Sequence, residues 1–238
     1  MLDAVGGRKI IMYKIFDRKQ TLPASVLEAY RSISPSGLGH LIEDGMMDPG
    51  IRPLHPDCLL IGTALTVKTE GRDSIVCHKA IDLVQPGDVI VVDREGDTRY
   101  ACWGEMTTLA ASMAGAAGAI IDGPATDVQA LSRQAMPVFA RGASALTTQF
   151  LGLGGGINVP ILCGGVTVHP GDLIFGDSNG IFVIDPRDAE RLLGLATMEE
   201  EGDMQWRNGL LSGKRPSQLA ALDEMIAKAN REVPVQKT

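Results

Sequence analysis

Aromatic residues are scarce in this chain: two Trp, three Tyr and five Phe among 238 residues, 4% of the total. So few rings argue against the stacking platforms on which proteins hold single-stranded nucleic acid. Positive charge is also in short supply, with 22 Lys and Arg against 29 Asp and Glu and a formal net charge of −7. Nucleic acid and anionic membrane both require a basic surface, so neither is expected as the main partner, while a basic protein stays open. No apolar run reaches the roughly 18 residues of a membrane span. The stretch from Met1 to Lys19 holds only the short Ile10-Ile11-Met12 cluster among charges, unlike a secretory signal. A cytoplasmic protein is expected.

Cysteine and histidine are equally sparing. Cys58, Cys77, Cys102 and Cys163 include no CxxC pair, which speaks against a zinc site and a disulfide framework and for buried reduced thiols. His40, His55, His78 and His169 show neither HxxxH nor HExxH spacing. Any bound metal should therefore be held mainly by oxygen, which favours a hard ion such as Mg²⁺.

Aliphatic residues and glycine are plentiful. Hydrophobic residues make up 45% of the chain and 28 residues are Gly, enough for one large aliphatic core with many tight turns. Strands are expected at Leu59 to Lys68, Asp88 to Asp93, Ala119 to Ile121, Val138 to Ala140, Ile161 to Val168 and Gly180 to Ile184, each bounded by Gly, Pro or Asp. Helical patterns cover Pro23 to Ser32, Ser74 to Leu83, Gly104 to Ala116, Asp127 to Ala135 and Pro186 to Ala196, the last with Asp185 as N-cap. Nothing long enough to be a linker divides residues 1–238, which read as a single domain.

One phrase occurs twice. Pro86-Gly87-Asp88 leads into Val89 to Asp93, and Pro170-Gly171-Asp172 leads into Leu173 to Asp177. Pro-Gly sets a tight turn and the Asp can fold back onto nearby amides before an apolar strand. The Gly152 to Gly156 segment lacks the Lys-Ser/Thr of a phosphate loop and is not read as one.

Two segments carry candidate chemistry. At Gly123-Pro124 the apolar run Ala119 to Ile121 breaks, and Thr126 followed by Gln129 has the form of a capping box. This places Asp127 in a first helical turn, where an acidic side chain either complements the macrodipole or holds a ligand. At Cys102 to Thr107, a strand-like Thr98 to Trp103 yields at Gly104 to an Ala-rich helix. Gly104 either simply turns the chain or opens the amides of a helix start to a small carboxylate. Together the two suggest two helix N-termini converging on one anionic, metal-bound ligand.

The phrases Gly62-x-Ala64-x-Thr66-Val67, Pro86-Gly87-Asp88-Val89, Ala101-x-Trp103-Gly104-Glu105, Asp122-Gly123-x-x-x-Asp127, Pro137 to Gly142 and Val168-x-Pro170-Gly171-Asp172-Leu173 resemble the RraA-like family. That family includes 4-hydroxy-4-methyl-2-oxoglutarate/4-carboxy-4-hydroxy-2-oxoadipate aldolases and regulators of ribonuclease activity. The resemblance implies an α/β fold, a compact layered β/β/α sandwich of swivelling-domain-like type with its core at about residues 23–193, an N-terminal extension at 1–22 and a helical region at 186–238. It also implies a homotrimer or a hexamer with sites between subunits. A divalent cation, Mg²⁺ with Mn²⁺ as the alternative, would be held by Asp127. Gly104, Glu105, Met106 and Thr107 would hold the carboxylate of a 2-oxo acid, with Glu105 near the metal's water, and one of Glu199, Glu200 or Glu201 would reach a neighbouring site. The activity implied is retro-aldol cleavage yielding pyruvate, with oxaloacetate decarboxylation from the same electron sink.

One position departs from the family pattern. The aldolases carry Gly-x-x-Arg-Asp, whereas this chain has Gly123-Pro124-Ala125-Thr126-Asp127. Thr126 offers a hydroxyl where the family has a fixed cation, and loss of such a donor costs on the order of 10²–10³ in rate. Arg72, Arg99 and Arg141 are the candidates to compensate, Arg141 being better explained as structural. Three readings stay open: a metal-dependent lyase on an altered 2-oxo acid, a non-catalytic regulator with a basic protein partner, and another enzyme of carboxylated metabolites.

Overall fold

The computed structural model describes residues 12–18, 22–55 and 58–232, and shows a mixed α/β fold. Its backbone is a run of four parallel strands: β3 (Leu60–Thr69), β4 (Asp88–Asp93), β5 (Gly118–Ala125) and β6 (Val138–Ala143), side by side in that order. Helices α3 (Ile75–Ile81), α4 (Glu105–Met113) and α5 (Val128–Leu131) connect them in turn. Beyond β6 lies β2 (Arg52–Pro53), and beyond β3 lie β7 (Gly155–Ile157) and the edge strand β1 (Tyr13–Ile15). The first half of β3 also pairs antiparallel with β10 (Leu173–Asp177), which pairs with β11 (Gly180–Ile184).

Alternation along the strands divides the interior. Leu65, Val67, Ile90, Val92, Ala119, Ile121, Val138 and Ala140 point one way, onto Val76, Ala80 and Ala111 of the helices. Their neighbours Ala64, Val89, Val91, Ile120 and Phe139 point the other way, onto the hairpin of β8 (Ile161–Cys163) and β9 (Val166–Val168) and onto Met47 and Ile51. Successive side chains leave opposite faces of a strand. A strand covered on both faces therefore reads as an unbroken apolar run, as Val89 to Val92 does. The result is the expected layering of hairpin, sheet and helices. A third cluster ties α1 (Ala24–Ala29) and α2 (Pro35–Gly39) to β10, β11 and the long α6 (Ala189–Leu211). The short α7 (Pro216–Leu219) and α8 (Leu222–Glu232) follow. No described helix is long and apolar enough to cross a membrane, and all four cysteines are buried.

The repeated Pro-Gly-Asp turns lie on the two edges of β3. Gly87 (φ +88°) and Gly171 (φ +98°) take the left-handed conformation that suits glycine. Asp88 accepts the Gln85 amide at 2.8 Å, and Asp172 accepts the His169 amide at 2.8 Å. Thr63 is the meeting point, opposite Asp88 on one side and Leu173 on the other.

Several expected boundaries are corrected. β5 does not stop before Gly123-Pro124; it continues to Ala125, with the pairing to β6 shifting register between Ile121 and Pro124 to absorb the missing Pro amide. No strand covers 98–103, because Asp97 takes the amides of Arg99 and Tyr100 and leaves a single bridge from Ala101 to Thr147. Ile161 to Val168 is a hairpin rather than one strand. α6 begins at Ala189 after Asp188, since the Asp185 carboxylate turns back to the Arg187 amide and guanidinium instead of capping. The helix expected at Asp127 to Ala135 is only Val128–Leu131, and its capping box does not form. Of the N-terminal extension, only residues 12–18 and 22 lie within the described chain.

Candidate active site

Ligands on open α/β sheets bind in the crevice outside the carboxyl ends of the parallel strands. Here the segments leaving β3, β4, β5 and β6 meet there in a cleft of about 440 Å³. It is lined by Ser74 and His78 after β3, Gly104 to Thr107 after β4, Thr126 and Asp127 after β5, and Thr147 to Phe150 after β6. All of the sequence-expected residues Gly104, Glu105, Met106, Thr107, Thr126 and Asp127 are therefore together.

The start of α4 is tightly tied. The Gly104 amide donates to Thr107 Oγ1 at 2.8 Å, and the Thr107 and Thr108 hydroxyls donate to the Gly104 carbonyl at 2.9 and 2.8 Å. Buried Trp103 donates its indole N–H to Thr108 Oγ1 at 2.8 Å, and its carbonyl accepts the Thr126 amide at 2.8 Å. The end of β5 is thereby clamped to the segment leading into α4.

That clamp changes what Asp127 does. It is not inside the first turn of a helix of its own. It stands before α5 in a left-handed conformation (φ 55°, ψ 34°), uncommon outside Gly and favoured among other residues by Asn, Asp and His. Its Oδ2 accepts the Glu105 amide at 3.2 Å across 22 residues of sequence. The carboxylate thus complements the N-terminus of α4, and α5, with four residues, offers no second anion-binding helix start. The expected convergence of two N-termini is replaced by one N-terminus and one carboxylate. The next first-turn amides of α4, at Met106 and Thr107, have no intrahelical acceptor.

Gly104 permits this approach. A Cβ there would lie 2.6 Å from Asp127 Oδ2 and 2.6 Å from Thr126 Cγ2. Its backbone is extended (φ −162°, ψ −159°), so the demand for glycine is steric rather than conformational. The Thr126 methyl group fills the space beside Gly104, and the Thr126 hydroxyl makes only a long 3.4 Å contact to Asp127 Oδ1.

The cleft is anionic. Asp127 and Glu105 are exposed, and among the described residues neither forms an ion pair. No Lys or Arg lines the cleft. Arg141 binds Asp122 and Asp48, consistent with a structural role, while Arg72 and Arg99 lie over the Tyr100 ring. None of the three compensation candidates lines the cleft. A cation absent from the sequence reading, Arg133, lines an adjoining groove together with Glu105, Thr126 and Asp127.

His78 was also missed as a site residue. Its Nδ1 lies 2.9 Å from the Ser74 carbonyl oxygen, and a carbonyl only accepts, so Nδ1 carries the hydrogen and the neutral ring keeps Nε2 as an acceptor. Phe150 meets the imidazole edge to face at 4.7 Å. The i, i+4 spacing of Ser74 and His78 was a legible signal for a shared face; the arrival of Phe150 from beyond β6 was not. Buried Asp73 holds that segment by accepting the Leu151 and Leu153 amides at 3.3 and 2.6 Å, besides that of Ile75 at 3.0 Å.

As a cation site, the donor set is sparse. No cluster of three or more His, Cys, Asp or Glu able to hold a metal occurs among the described residues. One unpaired carboxylate with a second nearby fits a hard ion that keeps most of its waters, as Mg²⁺ does, and does not fit a protein-caged metal. Of the three acidic candidates on α6, Glu200 is engaged in its own chain, accepting the Ser34 amide at 2.8 Å and hydroxyl at 2.7 Å at the start of α2. Glu199 and Glu201 stay available.

Comparison with known proteins agrees with this architecture. A Halalkalibacterium halodurans protein with the provisional name 4-hydroxy-4-methyl-2-oxoglutarate aldolase is 36% identical over 176 residues, 74% of this chain and 83% of that protein. An uncharacterized Pseudomonas syringae structure superposes with a TM-score of 0.73 at 27% identity, over 84% of this chain and 99% of that one. The Streptomyces coelicolor RraAS2 structure, described as an unusual member of the RNase ES inhibitor RraA family, shares the fold with a TM-score of 0.70 at 24% identity, over 78% of this chain and 98% of that one. The RraA-like family, described as Aldolase/RraA, matches residues 24–183, and this chain belongs to it.

Proposed function

We propose that this protein is a divalent-metal-dependent carbon–carbon lyase that releases pyruvate from a 4-hydroxy-2-oxo acid. The observation that carries the reading is the placement of an unpaired Asp127 carboxylate against the first amide of α4, at the carboxyl ends of four parallel strands. The name of the H. halodurans relative supports the reaction class. Asp127, with Glu105 nearby, would hold the ion, which would supply an electron sink for the 2-oxo group.

The chain's own groups do the rest. The free first-turn amides of α4 bind the substrate carboxylate, aided by the positive end of the helix. The C3–C4 bond breaks, its electron pair passes into the 2-oxo unit as pyruvate enolate, and the 4-hydroxyl loses its proton as an aldehyde or ketone forms. A proton returned to C3 completes pyruvate. His78 Nε2 is the neutral acceptor in the cleft suited to take the hydroxyl proton. Oxaloacetate would lose CO₂ to give the same enolate. The cleft is lined in part by exposed Met106 and Phe150, and α4 also exposes Leu109 and Met113, which supports assembly as a homotrimer or hexamer with Glu199 or Glu201 of α6 reaching a neighbouring cleft.

The test is pyruvate release from 4-hydroxy-2-oxo acids and oxaloacetate, with and without Mg²⁺ or Mn²⁺. Wild type should respond to the metal, Asp127→Ala should be silent, and His78→Gln should retain metal binding with a lowered kcat. Thr126→Arg should raise the rate on diacids if the missing cation limits it. Metal-independent turnover, or none by wild type on any substrate, rejects the proposal.

A further inference from the structure

Apart from Asp127, Glu105 and the His78 imidazole, the residues lining the cleft are uncharged. Phe150 is 67% exposed and Met106 64% exposed, and Thr147, Thr148 and Gln149 add neutral groups to the lining. Position 126 presents a methyl beside Gly104, and Arg133 belongs to the adjoining groove. A substrate tail ending in a second carboxylate would find no Lys or Arg among the lining residues to pair with. An apolar or aromatic tail would cover the exposed Phe150 and Met106 side chains and meet the Phe150 ring in the geometry that ring already makes with His78.

We propose that the substrate is a 4-hydroxy-2-oxo monocarboxylate whose C4 substituent is uncharged and apolar or aromatic, with Phe150 the residue that selects it. The inference rests on the lyase reading for its head group and departs from the diacid in the relative's name. Cleavage of a 4-aryl member would break C3–C4, leave pyruvate enolate to be protonated, and convert the carbinol into the aryl aldehyde, with no oxidant or reductant consumed.

The experiment compares 4-hydroxy-2-oxo-4-phenylbutanoate with 4-hydroxy-4-methyl-2-oxoglutarate under Mg²⁺, following pyruvate by coupled reduction. Binding of the non-cleavable pair phenylpyruvate and 2-oxoglutarate is measured alongside by calorimetry. Wild type should favour the aryl tail by about tenfold or more in kcat/KM, the scale on which an apolar pocket discriminates, and should bind phenylpyruvate more tightly than 2-oxoglutarate. Phe150→Ala should pull both ratios toward one, and Phe150→Arg should tip them toward the diacids. Phe150 is exposed, so neither change threatens the core. Turnover of the diacid at an equal or higher kcat/KM overturns the selectivity and leaves the lyase intact. Absence of pyruvate from both substrates rejects the lyase, and the binding ratios then decide the selectivity alone: preference for phenylpyruvate sustains it, and parity or the reverse removes it.

Discussion

Replacing Gly104 by Ala tests the geometry on which the site depends. The added Cβ would stand 2.6 Å from both Asp127 Oδ2 and Thr126 Cγ2, against an ordinary contact of at least 3.4 Å. Both groups, or Gly104 itself, must move by about 0.8 Å. The extended backbone at Gly104 accepts alanine, so the whole effect comes from that displacement. Overpacking costs about 1–3 kcal/mol in a core, and the exposed Asp127 can yield, which puts the stability loss near the lower figure. That corresponds to a fall in Tm of about 2–4 °C for a chain of this size. A misplacement approaching 1 Å in a site can cost about 10²-fold in rate, or about 2.7 kcal/mol of activation free energy. The expected outcome is a folded protein with weakened Mn²⁺ binding by EPR titration and pyruvate release reduced about a hundredfold. Adding Thr126→Ser deletes one of the two clashing atoms and should restore part of the loss. Undiminished Mn²⁺ affinity and rate in Gly104→Ala would refute the claim that Asp127 must sit against the start of α4.

Other consequences follow from the same contacts. Asp73→Ala leaves the Ile75, Leu151 and Leu153 amides without their acceptor. At about 1 kcal/mol per net hydrogen bond, urea denaturation should show a loss of roughly 3 kcal/mol, and hydrogen exchange should quicken across 150–153 first. Burial raises the Asp172 carboxyl above its ordinary range, so the folded state favours its protonated form. The stability this contributes is complete below the unfolded pKa of about 3.9 and is lost as pH rises through the higher folded value. Asp172→Asn keeps an acceptor for the His169 amide and removes the charge. Its Tm relative to wild type should therefore rise from pH 3.5 to 7, and a difference that stays constant with pH would contradict the assignment.

How much was legible in the sequence varies with the range of the forces involved. β3 and β4, both Pro-Gly-Asp turns and the start of α4 at Gly104 were readable because alternation, turn chemistry and helix-start signals are local. The phrases from Gly62 to Leu173 were sufficient to indicate the RraA-like family and the layered α/β fold. Boundaries failed where a distant strand partner or a neighbouring side chain outbid the expected pattern. Strand pairing with β6 carried β5 through Gly123-Pro124, and the Asp97 and Asp185 side chains claimed amides that a strand or a longer helix would have used.

By itself, then, the sequence determined the fold class and the family, and it singled out Gly104 to Thr107, Thr126 and Asp127, which the fold brings to one cleft. It also showed that a threonine stands where the family's aldolases keep arginine. Only the tertiary structure decided that Asp127 serves the N-terminus of α4 rather than a helix of its own, that His78 and Phe150 share its cleft, and that Arg133 opens onto a different groove. The physical reason is that four parallel strands bring loops from positions 74 to 150 to one edge of the sheet. Which side chains meet there depends on strand order and register, and these are settled by burial of the whole core rather than by any one segment.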